Sequence, residues 1–369
     1  MKRLAIIATN ESEHLGGSED LWIRSAACLK AAGVEVHANL SGRSRHSPSL
    51  RRLEASVTTH AFRELPAALP AHRRLLNRFR PDPLSAWLRR TRPELVLISQ
   101  GANLDGGDQA AACRGAALPY VLLSQAAGEW HGPYFKDYLG AREAHRHALL
   151  SCFVSDANRR LTELQLALTI PRARVVRNPF NVPYHDPPAW PPPGDAFRCA
   201  VVGRLDIFCK GHDLLFAALA HPRWKSRPAR FSLFGSGPHS RTLHALKAKW
   251  GLDQVEFRGH VADIRAIWEE HHLLVLPSRQ EGLPLALVEA MLCRRPALVT
   301  AVAGNTEILE AGRHGFVAAA AHPGCVADSL EQAWEHRDEW QAMGEEAGRH
   351  VRSLVPADPA ADFAALLLA

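Results

Sequence analysis

The run Phe197-Arg-Cys-Ala-Val-Val-Gly-Arg-Leu-Asp-Ile-Phe-Cys-Lys-Gly-His-Asp213 sets the frame for the whole chain. Phe197–Val202 is a short apolar run of strand type, Gly203 permits a tight turn, and a helix is expected to begin near His212. Arg204 and Lys210 flank the intervening loop. Two cations at the carboxyl end of a strand, beside a helix N-terminus, form a diphosphate clamp in one reading and solvated loop charges in the other.

Outward from this run, strand and helix patterns alternate in both directions, which predicts parallel α/β architecture. Upstream, strands are expected near residues 4–8, 34–40, 95–99, 120–124, 152–155 and 174–177, with helices near 18–32, 107–116, 136–150 and 156–168. Downstream, strands are expected near 197–202, 231–234, 255–257, 273–276, 297–300 and 316–318, and helix dominates from about Cys325. Between the halves lies Asn178-Pro-Phe-Asn-Val-Pro-Tyr-His-Asp-Pro-Pro-Ala-Trp-Pro-Pro-Pro-Gly194, too proline-dense for helix or central strand. The expected organisation is therefore an N-terminal α/β domain over 1–180, a stiff linker over 181–196, a second α/β domain over 197–345, and a helical tail over 346–369 that returns to the first. Ligands of such sheets bind outside the carboxyl ends of the strands, here in a cleft between the two domains.

The 369 residues suit two domains, each large enough for its own core. No apolar run is long enough for a membrane span, and the first residues read as a strand, not a secretory leader. Seven scattered cysteines, never spaced C-x-x-C, fit buried thiols better than a disulfide framework or a zinc site. The net charge of +6 is uneven: Arg43 to Arg92 holds twelve arginines against Glu54, Glu64 and Asp82. Within it, residues 72–80 and 84–90 set Leu, Phe and Trp opposite arginines. That pattern suits either an interfacial helix over 72–92 meeting anionic lipid, or a solvated face over a core. No recognition motif or aromatic platform accompanies the arginines, which argues against nucleic acid.

Two further segments carry chemistry. In Pro277-Ser-Arg-Gln-Glu-Gly-Leu-Pro-Leu-Ala-Leu-Val-Glu-Ala290, Pro284 suits a helix start, so Glu281 lies in the loop before it and Glu289 in its second turn. Gly282 and Leu283 offer backbone N–H groups where helical partial positive charge collects. A carboxylate in that loop can accept bonds from sugar hydroxyls, and one a turn later can hold a ribose diol; the plainer alternative is two acids favouring the helix dipole. In Leu15-Gly-Gly-Ser-Glu-Asp-Leu-Trp22, Gly16 and Gly17 allow close approach of a ligand, or simply form a turn before a helix capped by Ser18. No G-x-G-x-x-G dinucleotide fingerprint occurs.

Together these segments resemble the GT-B glycosyltransferases, most closely the retaining enzymes of glycosyltransferase family 4. The resemblance spans nearly the whole chain and is densest over 197–320, where Phe234-Gly-Ser-Gly-Pro238, Val255-Glu-Phe-Arg-Gly-His260, the glutamates eight positions apart, Ala303-Gly-Asn-Thr-Glu-Ile-Leu309 and Gly315-Phe-Val follow in the family's order. Arg177-Asn-Pro-Phe-Asn181 looks like its domain-closing turn. The resemblance implies two Rossmann-like α/β/α domains and transfer of a sugar, with retention, from a nucleotide-diphosphate sugar to a saccharide, lipid-linked or small-molecule acceptor. Arg204 and Lys210 would stabilise the leaving diphosphate, Glu281 would bind the sugar and Glu289 the ribose. Gly203, Gly235, Gly282 and Leu283 would line the nucleotide sugar, with His260 and Val261 against the base. No Asp-x-Asp pair occurs, so no metal and no cofactor is expected. The implied setting is cytoplasmic, or peripheral at the inner face of the cell membrane.

One departure stands out. Many relatives carry a histidine at the end of an N-domain strand, whereas Pro119-Tyr-Val-Leu-Leu-Ser-Gln125 ends in Ser124 and Gln125. Gln125 and the loop residue His131 are the candidates for that face. A nucleotide-sugar epimerase or hydrolase of the same shape, or a non-catalytic nucleotide-sugar binding protein, are the rival readings.

Overall fold

The computed structural model describes residues 1–11, 17–47, 49–63, 82–129, 138–192 and 194–369. They form two compact units, Met1–Pro179 with Asp358–Ala369, and Phe180–Ala357.

The first unit is built on a seven-stranded sheet, every pair parallel, in the order β3-β2-β1-β4-β5-β6-β7. The strands are β1 Arg3–Ala8, β2 Glu35–Ser41, β3 Thr59–Arg63, β4 Leu95–Gln100, β5 Tyr120–Ser124, β6 Leu150–Phe153 and β7 Ala173–Val175. β1, β4 and β5 are near-continuous apolar runs because helices cover both faces of a parallel sheet, so alternation is lost. β3 departs from expectation, since the stretch beyond Thr59 carries no strand signal. Thr-His-Ala-Phe-Arg lacks an apolar run, and it is a strand because β2 offers an unpaired edge to which it hydrogen-bonds from Thr59 to Arg63.

For the part of 72–92 that is described, the helix Pro83–Thr91 fits the second of the two readings, a solvated face over a core. Asp82 caps it and Pro83 opens it. Its apolar side is already used, because Leu84, Trp87 and Leu88 are buried with Ala5, Ile7, Val96 and Ile98. Arg89 and Arg90 are the solvated face of a core helix. Residues 72–81 lie outside the described residues. No helix among the described residues is long and apolar enough to cross a membrane.

The last helix, Pro359–Leu368, completes this first unit. Phe363, Ala364 and Leu367 join Leu21, Trp22 and Ile23 of the helix Gly17–Ala31 in one core, and Ser25 Oγ donates to the Ala360 carbonyl at 2.9 Å.

The second unit holds a six-stranded parallel sheet in the order β10-β9-β8-β11-β12-β13. Its strands are β8 Phe197–Val202, β9 Ala229–Phe234, β10 Val255–Gly259, β11 Leu273–Leu276, β12 Ala297–Thr300 and β13 Gly315–Ala318. Residues 176–192 carry neither helix nor strand. Within the second unit, two arginines hold the part from 180 onward. Arg352 Nε donates to Tyr184 O (2.8 Å), while the Tyr184 hydroxyl, with its one proton, lies within hydrogen-bond distance of both Arg352 O and Val355 O. Arg295 is fully buried and donates to the carbonyls of Ala189, Trp268, His271 and Cys293. Burial depresses its pKa to about 10.

Candidate functional site

Because the second sheet is parallel, the loops after β8, β9, β10, β11 and β12 leave from one edge, and the residues singled out by spacing lie on them. Those loops are laced together by backbone bonds. Gly203 N–H donates to Phe234 O (3.0 Å), Leu205 N–H to Ser236 O (3.0 Å) and Gly235 N–H to Gly259 O (2.7 Å). The approach demands glycine: Gly235 has φ +134°, and a Cβ there would stand 2.1 Å from the Gly203 oxygen.

The Arg204–Lys210 stretch is not an open loop. Ile207–Lys210 forms one helical turn capped by Asp206, whose Oδ1 accepts from Phe208 N–H (3.1 Å), and Lys210 N–H closes the turn onto Asp206 O (2.7 Å). Gly211, at φ +62°, then redirects the chain into the helix His212–Leu219. A Cβ on Gly211 would meet Pro277 O at 2.0 Å, so this corner is seated directly on the loop after β11.

That contact brings the predicted residues together. Lys210 Nζ donates to Glu281 Oε1 at 2.6 Å, and Ser278 Oγ donates to the same oxygen at 2.7 Å. Glu281 is 6% exposed and the Lys210 side chain 24%, so the pair is largely desolvated and its attraction is screened less than that of a surface ion pair. Oε2 of Glu281 accepts no bond from the described residues. Neither do the N–H groups of Gly282 and Leu283 donate to any of them, leaving two backbone donors before the helix Leu285–Leu292. The loop is braced from beneath, with Arg279 N–H and Gln280 N–H donating to Cys209 O and Gly304 N–H to Gly282 O. Arg279 also forks onto Asp213 at 2.7 and 2.8 Å, which raises the guanidinium pKa.

Arg204 stands apart from this pair. Its side chain is 59% exposed, and the guanidinium donates to Asp206 Oδ2 at 2.8 Å. Glu289, in the second turn of its helix as expected, is buried, and its Oε1 accepts from both the backbone and side-chain amides of Asn181 (2.9 and 3.0 Å). His260 is exposed and Val261 partly so, on the loop after β10. Beneath the clamp, His212 is buried at the helix start. Burial, then the Lys210 charge, depresses its pKa to about 4 and keeps the ring neutral.

In the first unit, Gln125 follows β5 and is buried, its Oε1 accepting from Asn178 Nδ2 at 2.8 Å. Gln125 Nε2, Ser124 Oγ and Asn178 Oδ1 have no partner among the described residues, so three buried polar atoms collect at the ends of β5 and β7. Gly17 opens the helix Gly17–Ala31. Gly16 and His131 lie outside the described residues.

Sequence reading missed Asp206, Ser278, the Arg279–Asp213 fork and the Asn181–Glu289 bond. Asp206 had a legible signal, an Asp just before a short helical turn, where caps occur. Asn181 had none, because it meets Glu289 only through the fold.

Known proteins resemble the chain in sequence and in fold. A family model described as "Glycosyl transferases group 1" matches residues 196–336. The phosphatidylinositol N-acetylglucosaminyltransferase gpi3 subunit of Schizosaccharomyces pombe is 31% identical over 159 residues, 42% of this chain and 35% of that one. Alpha-D-kanosaminyltransferase of Streptomyces kanamyceticus is 30% identical over 149 residues, 40% of this chain and 38% of that protein. The matched part thus spans little more than a third of those relatives. The solved structure of Anabaena HepE in complex with UDP superimposes over 100% of this chain and 99% of its own, with a TM-score of 0.78 and 20% identity. Sucrose-phosphate synthase from Thermosynechococcus elongatus gives 0.75 and 16%, over 100% of this chain and 98% of its own. At those identities the two structures speak for the fold. Residues 196–336 are thus similar to the glycosyl transferases group 1 family, and the two parallel-sheet units have the GT-B fold.

Proposed function

We propose that the chain transfers a sugar from a nucleotide-diphosphate sugar to an acceptor hydroxyl, with retention at the anomeric carbon and without a metal ion. The observation that carries this reading is the Lys210–Glu281 contact at 2.6 Å, which joins a cation to a buried carboxylate beside two backbone N–H groups without a partner among the described residues. That set suits both ends of a sugar diphosphate. Lys210, Arg204 and the N–H groups of Gly282 and Leu283 meet the diphosphate, and Oε2 of Glu281 accepts a sugar hydroxyl.

In the reaction, the bond from the anomeric carbon to the diphosphate oxygen breaks and its electron pair stays on the leaving phosphate. The acceptor oxygen bonds to the same face, and its proton passes to that phosphate oxygen. Charge grows on the diphosphate as the bond lengthens, so donors fixed beforehand lower the barrier with no reorganisation. Glu289 holds the ribose diol, competing with the Asn181 amides for its carboxylate. In the first unit, Gln125, bonded to the Asn178 amide, offers neutral hydrogen bonding at the strand end where many relatives carry a histidine.

The test is incubation with radiolabelled UDP-, GDP- and ADP-sugars and acceptor extracts, followed by product analysis. Transfer of label with retained configuration is expected. Failure to bind any nucleotide sugar would sink the reading, and binding without transfer would favour a non-catalytic binding protein.

A further inference from the structure

We propose that Asp206 is the positioning residue that sets both cations of the clamp, an inference that rests on the donor-site reading above. One carboxylate divides its two oxygens between them. Oδ2 takes the Arg204 guanidinium at 2.8 Å, and Oδ1 takes Phe208 N–H at 3.1 Å, capping the helical turn that ends in Lys210. The Asp206 carbonyl adds a third hold, accepting Lys210 N–H at 2.7 Å.

The surroundings fix Asp206 in turn. Its side chain is only 11% exposed. His239 walls it on one side: Nδ1 lies 3.6 Å from Oδ1 and accepts Ile207 N–H at 3.2 Å, while the His239 backbone N–H donates to Leu205 O at 3.0 Å. Phe208, 63% exposed, sets its ring edge-on to His239 at 5.0 Å, so the turn leans on the same imidazole.

The arrangement orients Arg204 without spending it. A guanidinium has five donors, and Asp206 engages one nitrogen, so the remaining edge can meet a phosphate while the carboxylate stays bound. A 59% exposed arginine without such an anchor would sample many rotamers and lose that entropy on binding. For Lys210 the hold acts through the backbone: the Asp206 cap fixes the start of the four-residue turn, while Arg279 and Gln280 hold its Cys209 carbonyl.

Asparagine separates the two duties, because it still caps a helical turn but gives Arg204 no charge. UDP, GDP and ADP are titrated into the wild type, Asp206→Asn, Arg204→Ala and the double variant, with thermal melting as the check on folding. Asp206→Asn is expected to weaken the nucleotide by about twofold to fivefold, the range of a partly exposed ion pair, at an unchanged melting temperature. In the Arg204→Ala background the same substitution is expected to have no effect on affinity. Asp206→Ala, which also removes the cap, is expected to weaken binding further even in that background, through Lys210. Equal losses from Asp206→Asn with and without Arg204, or no loss at all, would overturn the proposal while leaving the donor-site reading intact. If Arg204→Ala costs no affinity the positioning role fails, and if Glu289→Ala costs none either the donor-site reading fails with it.

Discussion

Lys210 and Glu281 share a desolvated contact that neither could keep alone, because a buried charge without its partner is costly. Lys210→Ala leaves the Glu281 carboxylate, 6% exposed, with Ser278 as its one remaining donor among the described residues. That variant is expected to lose both nucleotide affinity and turnover. Glu281→Gln removes the charge while keeping an acceptor, so it should retain most affinity for the bare nucleoside diphosphate but bind the nucleotide sugar less well. Comparing the two ligands by calorimetry checks this: equal losses for both would place Glu281 at the diphosphate instead of the sugar.

Glycine and local signals explain which elements were legible. β1, β4, β5, β8, β11 and β12 are apolar runs closed by a turn, and they stand where such runs predict strands. Pro284 and Glu289 likewise fall where helix-start chemistry puts them. What stayed hidden is what the tertiary structure supplies. β3 exists through pairing to β2, the turn Ile207–Lys210 is shorter than a helical period needs to show itself, and Asn181 reaches Glu289 only after folding. The arginine-rich pattern of residues 84–90 left two readings open for a related reason, since an amphipathic helix reads alike whether a core or a bilayer takes its apolar side. The glycine crossing between the β8 and β9 loops offers an element-level test. Gly235→Ala would press a methyl group to within 2.1 Å of the Gly203 oxygen unless the loops part. Nucleotide affinity is expected to fall by tenfold or more, about 1.4 kcal/mol; an unchanged affinity in a folded variant would show that the crossing does not shape the site.

On the scale of the whole molecule, buried neutral histidines tie stability to pH in both units. His145 in the first unit and His212 and His272 in the second are each depressed by burial to about 4. The unfolded chain takes up these protons near the ordinary 6.5, so below that pH the unfolded state binds more protons than the folded one. Their contribution is fully present above pH 6.5 and is lost progressively as pH falls toward 4. Thermal melts between pH 8 and 5 should show a falling midpoint below about 6.5, and a flat profile over that range would contradict the assignment. The last helix sets a second test at this scale. Phe363→Ala empties a core position of the first unit and is expected to cost it about 3–5 kcal/mol, read as a lower melting transition for that unit.

The central claim, a nucleotide-diphosphate site on the carboxyl edge of the second sheet, is tested most directly by calorimetric titration of UDP, GDP and ADP into the wild type, Arg204→Ala and Glu289→Ala. The account predicts that at least one nucleotide binds and that each substitution weakens it by about 1–3 kcal/mol, the value of a charged hydrogen bond. Unchanged affinity in both variants would contradict it.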